Sequence, residues 1–593
     1  MAQPDYQDNY VEKIQTLLLQ LYDHETAATL LPEILALIGS IPASPPKAYT
    51  GSERNPEWYR TMQLYVTYPD SFVDAEGNAN FDTLKAKLDH IQGLGCNAIH
   101  VLPFLESPMV DKGFDVMDYY NVKAGLGGNE AFFRFLNDLQ GRGMVLFMDL
   151  IFNHVSEKHP WVLKAQSGDS YFRQFFITSA TTPVLLERFS RDSIEWARYL
   201  IDGQEVEINI AFPDQVGELP HWVHARDGHW YFHSFYPQQL DLNWYNPEVL
   251  KELLKVLVYW AKLGLNFRFD AILSVFKKLA PGQLNKTPQT YKMLQLSHQI
   301  MKTVSPFAVI LPETLDYLDM IHNTAGKDAD NIQADLIYNF ELCSKLWLAV
   351  VLQSAEPIWQ VLDKYLTLPE WTQLVNFLRN HDELNIELLS KEERVSATEA
   401  LLDLYNLTDT KAGITGRTAT FLDEDARKIV LIYLLLCSIP GSPAIVYGDE
   451  VGKANDLEYA EAQLKLKLDQ GFHNVQLEHR DIARGQVNEE LINTAQGQFI
   501  YSELSEILKL RESFGVSKTF SRLSPDLSKN IFALQHTFAQ KEILVYVNLG
   551  TTMEMIVLPE GEYKEITNIN NALLLKGKLI LPSYAGLWVE RLP

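Results

Sequence analysis

Residues 264–271 read GLNFRFDA, a short run in which Arg268 and Asp270 alternate with Phe267 and Phe269. Period-two alternation puts Arg268 and Asp270 on one face of a β-strand and the two rings on the other. A guanidinium beside a carboxylate favours the ionised carboxylate, so Asp270 is expected to be charged. Seven more β-type runs flank this one: MQLYVTY (62–68), NAIHVLP (97–103), MVLFMDL (144–150), FAVILPE (307–313), IQADLIYNF (332–340), LVNFLRN (374–380) and PAIVYG (443–448). Helical stretches alternate with them, which is the pattern of βαβ units and a parallel sheet. Eight such strands predict an α/β fold, a (β/α)₈ TIM barrel.

The barrel does not account for the whole chain. Ile14, Leu17, Leu18 and Leu21, then Leu30, Leu31, Ile34, Leu35 and Leu37, recur at helical spacing ahead of the breaker-rich IPASPPKAYTGS (41–52). Residues 1–58 are therefore expected to be an N-terminal helical region and linker. Between the third and fourth strands lies an excursion of roughly a hundred residues, far longer than an ordinary connection. An inserted domain over the barrel mouth is expected at 155–236, with the barrel itself at 59–154 and 237–515. Alternating runs such as NIFALQHTF, KEILVYVNL, MEMIVL and KLILP predict a C-terminal antiparallel β-sandwich domain over 516–593.

Charge narrows the partners. Lys and Arg total 51 against 76 Asp and Glu, a formal charge of −25, which repels phosphate backbones and anionic membranes. A neutral small-molecule substrate is expected, with neither nucleic acid nor membrane as partner; oligomeric state is not legible. The first ten residues lack the pattern of a signal peptide, and the apolar run Ile429 to Ile439 is too short to span a bilayer, so a cytoplasmic location is expected. Cys96, Cys343 and Cys437 stand in apolar stretches without ligand spacing and read as buried thiols.

Polar residues gather where the barrel strands end, the side on which such barrels build their sites. The third strand runs through Asp149 to Asn153 and His154, the fourth carries Arg268 and Asp270, the fifth ends at Glu313, and the seventh leads into Asn380, His381 and Asp382. Glu313 ends an apolar run, where desolvation raises a carboxyl pKa and leaves a proton to donate. An ionised carboxylate and a protonated one on adjacent strands meet the needs of glycosidic cleavage with retention, which places two carboxyls about 5 to 5.5 Å apart. Each signal alone is commonplace; their joint order along the strands is not.

That order strongly resembles the α-amylase superfamily of glycoside hydrolases and transglycosidases, whose signature segments appear here as DLIFNH, GLNFRFDA, LPET and FLRNHDE. The resemblance implies Asp270 as nucleophile, Glu313 as acid/base and Asp382 as transition-state stabiliser, supported by Asp149, His154, Arg268 and His381. Asp111-Lys-Gly-Phe114 is similar to the family turn whose Asp holds the non-reducing glucose and whose ring stacks beneath it. HRDIARG places Arg484 like the arginine that pairs with that Asp in exo-acting members. Phe235 falls among the loops expected to shape the leaving-group side.

Segments such as NPEWYRTMQLYVTYPDSF and FPDQVGELPHW resemble amylosucrases and sucrose hydrolases, so sucrose is the first expected substrate. FLRNHDELNIELLSKEER and FLDEDARKIVLIYLLLCSIPGSPAIVYGDEVG resemble trehalose synthases, which makes maltose isomerisation the alternative, beside an exo-α-glucosidase. A sucrose phosphorylase and a barrel that has lost catalysis are further readings. Some relatives bind calcium through the strand-three Asn, here Asn153, but six to eight oxygen ligands cannot be assembled from the sequence. No cofactor and no obligatory metal are expected.

Overall fold

A computed structural model of the chain describes residues 10–40 and 57–592, apart from 192–193, 202, 213–216, 218, 282–285, 404–408, 411–412, 472–474, 518, 524–526 and 539–540. The stretch read as a linker lies outside the described residues.

All eight expected strands form one parallel sheet: β1 (Leu64–Thr67), β2 (Ala98–Val101), β3 (Val145–Ile151), β4 (Asn266–Asp270), β5 (Ile310–Pro312), β6 (Leu336–Tyr338), β7 (Gln373–Phe377) and β8 (Ser442–Val446). Their hydrogen-bonded order is β5-β4-β3-β2-β1-β8-β7-β6, so every strand neighbours its sequence neighbour or closes the ring through β1 and β8. β5 and β6, the two ends of this order, pack against each other and complete a (β/α)₈ barrel. The strands are buried on both faces, which is why they read as apolar runs.

Two helices precede the barrel, α1 (Tyr10–Leu21) and α2 (His24–Gly39); Asp23 caps α2 by accepting from the Thr26 N–H. Ile14, Leu17 and Leu18 of α1 face inward against the barrel helix Pro288–Val304. The excursion after β3 contains a three-stranded antiparallel meander, Val184–Arg191, Ile194–Ile201 and Gln204–Asn209, over its own small core of Tyr199, Val206, Ile208, Trp222 and Phe232. Its ends are tied together at the barrel mouth, where His154–Ser156 pairs antiparallel with Gln239–Asp241. Beyond the last long helix, Ala495–Phe514, a five-stranded and a three-stranded antiparallel sheet enclose a separate core. No helix among the described residues is long and apolar enough to cross a membrane.

Candidate active site

Register builds the floor of the site. Arg268 of β4 stands directly opposite Asp149 of β3, and both are buried. Residues opposite one another in a ladder share a face, so the guanidinium meets three carboxylates there. Its Nη1 donates to Asp149 Oδ1 at 2.7 Å and also to Asp270, two residues along the same strand face, while its Nη2 pairs with Glu313 at the end of β5. His100 of β2 braces the far side of Asp149 at 2.9 Å. One planar guanidinium therefore fixes Asp270 and Glu313 as neighbours.

β4 ends abruptly at Ala271, whose φ of 43° is left-handed, a conformation a non-glycine residue adopts at a cost. That turn aims the Ala271 N–H at Glu313 Oε2, 3.0 Å away. The strain buys a second fixed contact for the carboxylate.

Burial raises the affinity of both Asp270 and Glu313 for a proton; Arg268 opposes this, and nearby carboxylates, Asp382 among them, reinforce it. The expectation that Arg268 simply keeps Asp270 ionised is thereby corrected. One guanidinium shared among three carboxylates does not cancel their charge, so Asp270 and Glu313 each hold a proton above the usual carboxylate range. Asp382 behaves oppositely: against the cost of burial, His381 and the guanidinium groups of Arg480 and Arg484 hold it well below that range. Burial pushes His154 down to about 4 and His381 down to about 3, so both imidazoles are neutral.

Above this floor opens a cavity of about 140 Å³ lined by Asp111, Phe114, His154, Phe235, Asp270, Glu313, His381 and Asp382, together with Phe212, Gln239, Ala271 and Arg480. The Phe114 ring stacks on His381 with centroids 5.2 Å apart and planes inclined by 9°. Asp149 and Arg268 lie beneath the lining rather than in it.

Arg484 is not where the sequence placed it. The partner of Asp111 is Arg480, whose Nη2 donates to Asp111 Oδ1 at 3.0 Å while Nη1 donates to Asp382 Oδ1 at 3.0 Å. Arg484 reaches Asp382 Oδ1 at 3.0 Å and the His381 carbonyl at 3.1 Å, outside the cavity lining. Both arginines belong to HRDIARG, folded as a short 3₁₀ turn over His479–Ala483, and the earlier one enters the cavity. Glu478 and Tyr236 orient it: Glu478 Oε1 accepts from Arg480 Nε at 2.9 Å, and Tyr236 Oη lies 2.7 Å from Nη2. Phe212 lies under its guanidinium at 4.7 Å, and Gln239 Nε2 donates to the second Asp111 oxygen at 3.0 Å. Arg480, Gln239, Phe212, Tyr236 and Glu478 were not singled out from sequence; proximity to Asp111 is a tertiary property that spacing does not encode.

Asn153 also has a partner the sequence did not suggest. Its side-chain oxygen accepts from Lys277 Nζ at 2.7 Å, and the same ammonium binds Ser234 Oγ at 2.9 Å and the buried carboxylate of Asp241. No group of three or more His, Cys, Asp or Glu side chains among the described residues is arranged to hold a metal ion.

The α-amylase catalytic-domain family matches residues 66–413, more than half of the chain. The chain belongs to the α-amylase family. It is 30% identical to a trehalose synthase from Pimelobacter sp. (strain R48) over 68% of either chain. It is 28% identical to the Thermus thermophilus trehalose synthase over 87% of this chain and 53% of that one, so it spans about half of the Thermus protein's length. Among solved structures, the trehalulose synthase of Pseudomonas mesoacidophila MX-45 superposes with a TM-score of 0.67 at 20% identity, covering 90% of this chain and 99% of that one. The isomaltulose synthase of Klebsiella sp. LX3 gives 0.66 at 18% identity with the same coverage. Likeness at that level carries the fold of the α-amylase family and nothing about the substrate.

Proposed function

We propose that this α-amylase-family enzyme transfers a single glucosyl unit from a small α-glucoside by double displacement, with interconversion of maltose and trehalose as its main reaction. One observation carries the reading: the Asp111–Arg480–Asp382 bridge closes a small cavity directly over Asp270 and Glu313. A cavity of about 140 Å³ with that bridge across one side suits a single sugar ring.

In this reading Glu313 gives its proton to the glycosidic oxygen as Asp270 attacks the anomeric carbon, forming a glucosyl-enzyme and a free sugar. Asp382, His154, His381, Asp111 and Arg480 hold ring hydroxyls as oxocarbenium character develops, and Phe114 lies beneath the ring. Phe235 borders the leaving sugar. Glu313, now a carboxylate, removes a proton from the incoming hydroxyl: water gives hydrolysis, a different hydroxyl of the retained sugar gives isomerisation. Two inversions restore the α configuration.

Maltose is preferred over sucrose because trehalose synthases align with most of this chain at about 30% identity. The amylosucrase-like segment around the first strand keeps sucrose as the competing donor. Incubating the protein with maltose, trehalose and sucrose and separating the products decides between them. Trehalose plus some glucose is expected from maltose; fructose from sucrose with no trehalose from maltose would refute this reading.

The pH dependence follows from Glu313. Its raised affinity for a proton means that the acid form persists above the usual carboxylate range and is lost as pH rises. kcat/KM is expected to decline on the alkaline side, approaching tenfold per pH unit once Glu313 has lost its proton. Glu313→Gln, assayed on a glucoside with an activated leaving group, should lose that limb.

Lys277 supports independence from calcium. A fixed ammonium between Asn153, Ser234 and Asp241 supplies the positive charge that a cation would bring to the strand-three Asn. A chelator should leave activity unchanged, whereas Lys277→Met strands the buried Asp241 carboxylate and is expected to cost about 3 kcal/mol of stability. Denaturant midpoints of the two proteins measure this; an unchanged midpoint would discount the role.

A further inference from the structure

We propose that the outer face of the C-terminal three-stranded sheet is the contact surface for a second copy of this chain. β9 (Glu554–Val557), β10 (Leu573–Leu575) and β11 (Lys578–Leu581) form this sheet in the spatial order β9-β11-β10, antiparallel throughout. Met555 stands opposite Ile580 and Ile580 opposite Leu573; Val557 stands opposite Lys578 and Lys578 opposite Leu575. Directly opposed residues share a face, so a Met-Ile-Leu row and a Val-Lys-Leu row lie side by side on it.

That face is open to solvent. Met555 is 62% exposed, Val557 74%, and Leu573 and Leu575 51% each. Ile556, Leu579 and Leu581 point the other way and fill the sandwich core, whereas Met555, Val557, Leu573 and Leu575 are exposed and stand outside it among the described residues. Alternation normally puts polar residues on the solvent side of such a sheet. Here only Lys578 does so, and its aliphatic stem can lie across its neighbours while its ammonium reaches the edge.

Area and charge point to a second copy as the occupant. The exposed parts of these side chains, with Met553 beside them, amount to roughly 500 Å², near the largest apolar patch a monomer usually tolerates. Two such faces brought together about a two-fold axis cover on the order of 1,000 Å², the lower limit for a specific interface and the size of a weak, concentration-dependent dimer. Two twisted sheets can stack face to face with their side chains interleaved, and the two methionines adapt to that packing. Close to these strands in sequence, Lys576, Lys578, Glu560 and Glu562 are exposed, two of each sign. The net charge of −25 opposes approach at longer range, and added salt should therefore strengthen the association.

Sedimentation velocity of the full chain over a concentration series tests this, with turnover of its glucoside as the check on folding. Wild type is expected to dimerise at micromolar concentration, more tightly in salt. The Met555→Glu/Val557→Glu double variant should sediment as a monomer at every concentration with turnover unchanged, because neither residue lines the catalytic cavity. A wild-type chain that stays monomeric throughout the series, or a double variant that still dimerises, would overturn the proposal.

Discussion

Asp270→Asn is expected to lower kcat by about five orders of magnitude, some 7 kcal/mol of transition-state stabilisation, while leaving the protein folded. Asparagine has the shape of aspartate but cannot form the glucosyl ester, so the first displacement loses its nucleophile. The fold should survive: Arg268 keeps Asp149 and Glu313 as partners, and one charge fewer relieves the crowding of three carboxylates around one guanidinium. Substrate binding should change little, which separates loss of chemistry from loss of the site. Single-turnover kinetics and a calorimetric titration with maltose measure the two. A residual kcat within tenfold of wild type would remove Asp270 from the role of nucleophile.

Much of this arrangement is legible in the sequence. Parallel strands buried on both faces announce themselves as apolar runs, and the charged residues that interrupt them mark the strand ends where a barrel builds its site. Asp149, Arg268 and Asp270 follow from the two-residue period along β3 and β4 once register is added. What the sequence hides is set by long-range packing. Lys277 lies 124 positions from Asn153, and nothing near either residue announces the ammonium that joins them. The raised proton affinity of Asp270 and Glu313 is hidden for a related reason: local sequence shows one Arg beside one Asp, while the barrel adds two more carboxylates from neighbouring strands. Glu383, pushed up to about 7 chiefly by burial, with Asp382 and Glu478 adding to the shift, is another group whose behaviour comes from the folded surroundings and not from its neighbours in the motif.

The choice between Arg480 and Arg484 is the sharpest case, and it has a large measurable consequence. Arg480→Ala is expected to cost about 5 kcal/mol in kcat/KM, between three and four orders of magnitude, because it removes one guanidinium shared by Asp111, Asp382 and Glu478. Asp111 would keep only Gln239, and Asp382 would lose one of two guanidinium partners, rebind protons more readily and hold ring hydroxyls less firmly. Arg480→Lys should rescue little, since one ammonium cannot span Asp111, Asp382 and Glu478 as a planar fork does. Arg484→Ala leaves the Asp111 bridge intact. Its cost should appear mainly as lost stability, through the His381 carbonyl and Asp481, with kcat/KM falling by about tenfold. The two alanine variants, compared at a temperature where both are folded, therefore rank the arginines by function. A greater loss of kcat/KM in Arg484→Ala than in Arg480→Ala would return the pairing role to the later residue and would mean that substrate binding redraws the bridge.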